Sequence, residues 1–216
     1  MAQPLSDLEK SVEEILNIQR RLIWTCDDGT HNCRRALVLG SGSTGTLLSL
    51  LLRTYGFEVY IANRRDPLEN ESVITEEAGV TFINYTRDSL DRLKRVGFDL
   101  VVDTTGTSAS LIRDAVEMLR PNGVLGLFGF PSSGESVIPH DVWQRFIHKS
   151  NVIVGLANGQ KPHFQMALSH LAQWKSIWPR ATRRLITKTI DINNEGEVMK
   201  ALHEKVKGEI KVVIKW

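Results

Sequence analysis

The sequence predicts an α/β fold: a doubly wound, mostly parallel sheet with an N-terminal helical arm. Three observations carry that expectation. From residue 35 onward, short strands rich in Val, Ile and Leu alternate with helical stretches, as in sheets covered on both faces. A glycine pattern lies where the first strand passes into a helix. The composition, 42% hydrophobic and 24% charged over 216 residues, fits one substantial globular domain, or one domain plus an appendage.

The elements follow in order. Ser6 and Glu9 have the S-x-x-E spacing of a capping box, and Leu8, Val12, Ile15, Leu16 and Leu22 recur at helical spacing. A helix running to about Arg21 is expected there. "CDDGTHNC" (26–33) breaks the pattern. "ALVLG" (36–40) reads as a strand, "TGTLLSLLLRTYG" (44–56) as a helix stopped by Gly56, and "EVYIA" (58–62) as a strand. Pro67 opens a helix closed by Gly79. Strands over 80–84 and 98–106 flank a helix over 88–97. A helix over 108–123 ends at Pro121 and Gly123, before a strand over 124–130. A helix over 140–150 precedes a strand over 151–158. The remainder reads as helix 162–178, extended chain 184–192, helix 194–205 and a final strand 208–216. There is no internal repeat or low-complexity segment, and the natural boundary lies near residue 34. It separates an arm, 1–34, from a nucleotide-binding body, 35–216.

Composition narrows the function. A formal net charge of +2 gives no basis for binding nucleic acid or a membrane surface. No apolar run approaches the ~20 residues needed to cross a bilayer. The acidic start "MAQPLSDLEKSVEEI" lacks an apolar signal region, so a cytoplasmic protein is expected. That start is abrupt, as if Met1 stood inside a longer chain. Cys26 and Cys33 are spaced too widely for a usual zinc knuckle and have no second pair. Two thiols in a turn are expected, with a local disulfide as the alternative.

Gly40, Gly42 and Gly45 form G-x-G-x-x-G after a strand and at the opening of a helix. In a Rossmann fold the first glycine permits the turn, the second lets the backbone approach a pyrophosphate, and the third lets helix and strand pack closely. The free N–H groups of the helix start attract the anion, and Ser43 and Thr44 offer hydroxyls. At the end of the second strand, NAD-selective folds place a carboxylate that accepts the ribose hydroxyls. Here the chain reads Asn63, Arg64, Arg65. Asparagine still bonds a hydroxyl without repelling a 2′-phosphate, and arginine forks suit phosphate oxygens. NADP is expected to be preferred or accepted, with NAD still usable. The alternative is that both arginines are solvated, with Asp66 neutralising them or capping a helix.

"GVLGLFGF" (123–130), "LANGQKPHFQMALSHLAQWK" (156–175), "LITKTIDI" (185–192) and "GEIKVVIKW" (208–216) resemble the archaeal glucose 1-dehydrogenases, zinc-dependent members of the medium-chain dehydrogenase superfamily. "QPLSDLEKSVEEI" and "WTCDDGTHNCR" resemble segments just before that family's coenzyme-binding domain. The resemblance implies a coenzyme-binding domain without the N-terminal catalytic domain that supplies most zinc ligands. It implies that no catalytic residue lies in this chain and that the chain alone binds coenzyme without turnover. In the whole enzyme it implies hydride transfer from D-glucose to NADP or NAD, assisted by zinc, with the lactone as product. Gln3 matches a position near the zinc, and Asp7 one near the sugar hydroxyls. Asn158 matches a residue meeting nicotinamide and sugar. Phe128, Gly129 and Phe130 match a strand end whose backbone receives the carboxamide. Thr104, Thr105 and Gly106 end a strand beside the adenosine path. The rival functions are a stand-alone NAD(P)-sensing domain and a dehydrogenase for another aldose. A homo-oligomer is compatible with the sequence if the final strand lies at a sheet edge. The four histidines His140, His148, His163 and His170 lack metal-ligand spacing, and Arg180, Arg183 and Arg184 read as a solvated basic patch.

Overall fold

The computed structural model describes residues 1–18, 34–86, 90–106, 109–130, 137–204, 206 and 208–216. Cys26, Cys33 and the expected helix end at Arg21 lie outside the described residues. The six-stranded sheet contains β1 (Arg34–Leu39), β2 (Phe57–Asn63), β3 (Thr81–Asn84), β4 (Phe98–Asp103), β5 (Leu119–Leu127) and β6 (Val152–Gly155). Its order is β3-β2-β1-β4-β5-β6, and every pairing is parallel. That order reverses direction between β1 and β4, which opens a crevice at the strands' C-terminal ends.

Side-chain alternation along the strands divides the core in two. Ala36 and Val38 of β1, with Leu100 and Val102 of β4, face a layer of α1 (Ala2–Ile18), α2 (Ser43–Thr54), α3 (Glu69–Ala78) and α7 (Lys161–Ile177). Leu37, Leu39, Val101 and Leu125 face the other layer, which contains α4 (Leu90–Val96), α5 (Ala109–Met118) and α6 (His140–His148). The arm helix α1 buries Leu5, Leu8, Val12 and Ile15 almost completely. At roughly 1.5–3 kcal/mol for each such side chain, this stripe docks α1 as part of the body. Trp174 of α7 is fully buried and donates its indole N–H to Thr54 Oγ1 at 2.8 Å.

Several expectations need correction. Ser6 and Glu9 are not a capping box: α1 begins at Ala2, and both residues lie in its interior at 0% exposure. Ser6 Oγ donates to Gln3 O at 2.7 Å, while Glu9 turns toward α7. An i, i+3 spacing also marks one face of a continuing helix, and here burial decides. The helix expected to open at Pro67 starts at Glu69 and closes, as expected, at the left-handed Gly79. The helix expected through residue 123 stops at Met118, and β5 already begins at Leu119, paired with Phe98. Lys149 ends it by donating its ammonium to Leu119 O at 2.7 Å and Glu117 O at 3.4 Å. Burial holds the Lys149 ammonium below its usual range, with Arg145 adding to the effect.

A short helix, α8 (Pro179–Arg184), lies where the sequence predicts no element over 179–183, and its last residue falls in the stretch expected to be extended from 184. It docks on α3: Arg180 meets Glu77 at 3.2 Å and Arg184 meets Glu69 at 3.2 Å. The basic patch is therefore a surface bridge rather than a freely solvated face. Beyond it, β7 (Lys188–Asp191) and β8 (Val212–Lys215) pair in parallel as a separate two-stranded sheet, with α9 (Glu195–His203) between them. The last strand thus lies apart from the large sheet.

Candidate nucleotide-binding site

The glycine loop leaves the end of β1 with a backbone that only glycine suits. Gly40 has φ +102°, and a Cβ there would lie 2.7 Å from Thr105 Cγ2. A Cβ on Gly45 would sit 1.9 Å from Gly40 O, so helix and loop touch main chain to main chain. Gly42 differs, since a Cβ on it would meet nothing within 4 Å. Packing does not require glycine there; open space in front of the helix does not forbid a ligand. Gly42 is also the N-cap of α2 and supplies no side-chain cap, so the first N–H groups of that helix face the opening.

This opening is a cavity of ≈ 280 Å³, with Gly40, Gly42, Ser43, Thr44 and Gly45 on one wall. Asn63, Arg64, Thr104 and Thr105 line it too. Nine of the residues singled out from sequence therefore share one cleft. Thr104 Oγ1 donates to Leu39 O at 2.8 Å, tying the β4 end to β1. Thr105 N and Oγ1 both donate to the buried Asp103 carboxylate, at 2.8 and 2.6 Å. Arg64 is exposed at the rim, with its backbone N–H donating to Asn63 Oδ1 at 2.7 Å.

Arg65 turns away from this cavity. Its Nη1 and Nη2 donate to the Glu71 carboxylate at 2.6 and 2.8 Å, and Nη1 also reaches the backbone oxygen of Asp66 at 3.0 Å. Glu71, only 4% exposed, accepts from Ser41 Oγ at 2.7 Å and from the Leu68 N–H at 2.7 Å. Ser41 Oγ in turn accepts from Asn63 Nδ2 at 2.6 Å. Burial pushes the Glu71 carboxyl up, but the bonds from Arg65, Leu68 and Ser41 outweigh it and hold it below the usual carboxylate range. Sequence reasoning missed Ser41, Glu71 and Tyr85. The signals were present: Ser41 fills the variable position between two motif glycines, and Glu71 is the third residue of a helix. Tyr85 also lines the cavity, and burial pushes its phenol up.

The remaining candidates lie along the same rim of the sheet. Gly106 and Gly129 bring two loops into backbone contact; a Cβ on Gly129 would fall 2.1 Å from Gly106 N. Phe128 and Gly129 both donate N–H to Asp103 O, at 2.9 and 3.0 Å. Phe128 packs on the core while Phe130 is 85% exposed. Asn158 is exposed in a left-handed bend with φ 66°. Beside it, Gly159 N donates to Asp7 Oδ1 at 2.7 Å, and Asp7 Oδ2 accepts from Gln3 Nε2 at 2.7 Å. Among the described residues no group of three His, Cys, Asp or Glu side chains could hold a metal ion. Gln3 offers one neutral amide oxygen, so these residues do not make a zinc centre by themselves.

Strand order and cleft together define a domain of the Rossmann class. The chain belongs to the family described as "Glucose dehydrogenase C-terminus", whose profile matches residues 1–216. It is 70% identical over 216 residues to "Glucose 1-dehydrogenase 2" of Caldivirga maquilingensis, covering 100% of this chain and 59% of that protein. It is 56% identical over 218 residues to "Glucose 1-dehydrogenase 2" of Saccharolobus solfataricus, with the same coverage of 100% and 59%. The chain thus spans about three fifths of the length of the curated relatives it matches. In fold it resembles Haloferax mediterranei glucose dehydrogenase solved in complex with NADP, Zn and gluconolactone. The TM-score is 0.81 at 23% identity, over 100% of this chain and 58% of that one.

Proposed function

We propose that this chain is the coenzyme-binding part of a glucose 1-dehydrogenase and holds NADP or NAD in the cleft at the ends of β1, β2 and β4. The observation that carries this is the Gly42 opening: an uncapped helix start facing a cavity whose far rim bears Asn63 and Arg64. The first N–H groups of α2 would receive the pyrophosphate. Asn63 would meet a ribose hydroxyl, and Arg64 at the rim would favour a 2′-phosphate, whereas Arg65 is held by Glu71. Thr104, Thr105 and Gly106 would flank the adenosine path. The backbone at Phe128, Gly129 and Phe130 would receive the nicotinamide end, with Asn158 beside it. Bound NADP or NAD supplies a hydride acceptor, and the relatives' name points to D-glucose as donor in the whole protein. Asp7 would accept a sugar hydroxyl bond only by sharing the carboxylate that Gly159 and Gln3 already use.

In this proposal the arm, 1–34, and the body, 35–216, act as one coenzyme-binding unit. No helix among the described residues is long and apolar enough to cross a membrane. The cytoplasmic location expected from the sequence, and the expectation from a net charge of +2 that neither nucleic acid nor membrane is a partner, remain part of the proposal. Calorimetric titration with NADP and with NAD tests the coenzyme: saturable heat is expected for both, and a folded sample giving heat with neither overturns the proposal. For the full-length protein, rates on glucose, galactose and xylose test the substrate, and no activity on any aldose removes that assignment.

A further inference from the structure

The residues behind the cavity rim carry one step more. Arg64 and Arg65 are adjacent in sequence but electrically different. Arg64 stands exposed at the cavity, and among the described residues no carboxylate is in an ion pair with it. Arg65 is locked by two parallel bonds to Glu71, a geometry that matches guanidinium to carboxylate and gives a pair of no net charge. Glu71 is no chance partner of an exposed arginine. It is buried, and it accepts four hydrogen bonds: two from Arg65, one from Ser41 and one from the α3 cap. Through Ser41 the network reaches Asn63, the residue facing the expected ribose. A second opening, of ≈ 290 Å³, adjoins the first and is lined by Ser41, Asn63, Arg65 and Glu71.

We propose that Glu71 sets the coenzyme preference by neutralising Arg65, so that a 2′-phosphate meets Arg64 as its uncompensated cation. This rests on the proposed coenzyme function and adds a determinant to it. A buried carboxylate close to a dianionic phosphate opposes its binding and leaves NAD, which lacks that phosphate, almost untouched. The protein is therefore a moderate rather than a strict NADP binder, although its sequence shows two consecutive arginines.

The test is the ratio of Kd for NAD to Kd for NADP, measured by calorimetry on the full chain at fixed ionic strength. In Glu71→Gln the ratio rises about fivefold or more, since one opposing charge is gone and a guanidinium fork is released. A ratio that stays level or falls overturns the inference. A merely structural role would weaken both coenzymes together and leave the ratio unmoved, so that result also counts against it. Should Glu71→Gln not fold, the double variant Arg65→Gln with Glu71→Gln removes both charges and leaves none unpaired. Its ratio stays at least about fivefold above that of Arg64→Ala. A ratio as low as that of Arg64→Ala means Arg65 grips the phosphate directly, and the inference fails. If the wild-type chain binds neither coenzyme, the proposed function itself fails, which is a separate outcome.

Discussion

Glu71 beside the glycine loop and Glu9 in the seam between α1 and α7 are both shut off from solvent, at 4% and 0% exposure, but their partners differ in kind. Glu71 is held by a guanidinium, a backbone N–H and a hydroxyl, all from chain within 30 residues of it. Glu9 meets His170 Nδ1 at 2.5 Å and Tyr55 OH at 3.3 Å, joining α1 to α7 and to the residue that caps α2. One turn further along, Glu13 meets His163 at 2.8 Å. A guanidinium keeps its charge at any ordinary pH, whereas imidazole changes charge near neutrality. The glycine-loop end thus has a permanent charge pattern. The seam instead pairs its carboxylates with imidazole rings and a phenol.

That contrast can be broken from either side. The largest effect is expected for Arg65→Ala, which leaves the Glu71 charge buried without its cation. Urea unfolding should show a loss of about 3 kcal/mol with an unchanged m-value. A loss under about 1 kcal/mol would mean Ser41 and the Leu68 N–H suffice. His170→Ala comes next, at about 2 kcal/mol, because Glu9 retains the Tyr55 hydroxyl. If it costs more than Arg65→Ala, the seam rather than the loop carries the more demanding carboxylate.

Tyr55 sharpens the comparison through pH. Burial, reinforced by Glu9, pushes its phenol up from 10.0 to about 12. The fold therefore favours the neutral phenol. That contribution is complete below pH 10.0 and is lost as pH climbs through about 12. Tyr55→Phe should flatten the alkaline limb of the stability curve in that window, and an unchanged limb would assign the alkaline loss elsewhere. The smallest stability effect is expected for Gly42→Ala, under about 0.5 kcal/mol, since its Cβ meets open space and φ is −72°. The same change should weaken both coenzymes at least tenfold by standing where the pyrophosphate belongs. Equal affinity would mean that the opening is not the phosphate site.

Much of this was legible beforehand. The alternation of apolar strands with helices, and the stops at Gly56 and Gly79, gave the sheet and two helix ends, because these depend on neighbours in sequence. What could not be read depends on distant partners. The Met118 end of α5 rests on Lys149, the residue that caps α6, and the start of β5 on pairing with Phe98. Glu9 looked like a cap because its spacing fits one; only the packing of α7 makes it a core residue. Likewise the pair Arg64–Arg65 reads as two equal cations until Glu71 is placed, six residues beyond Arg65 and folded back onto it.

The grip of Asp7 on the main chain at Gly159 has a mechanical side. These two points lie 152 positions apart along the polypeptide, and any β-carbon at 159 would strike Ser6 at 2.6 Å. Arm and bend meet through the Asp7 carboxylate and through the close approach of Gly159 to the Ser6 main chain. A tilt of the first helix would therefore load the bend that carries Asn158.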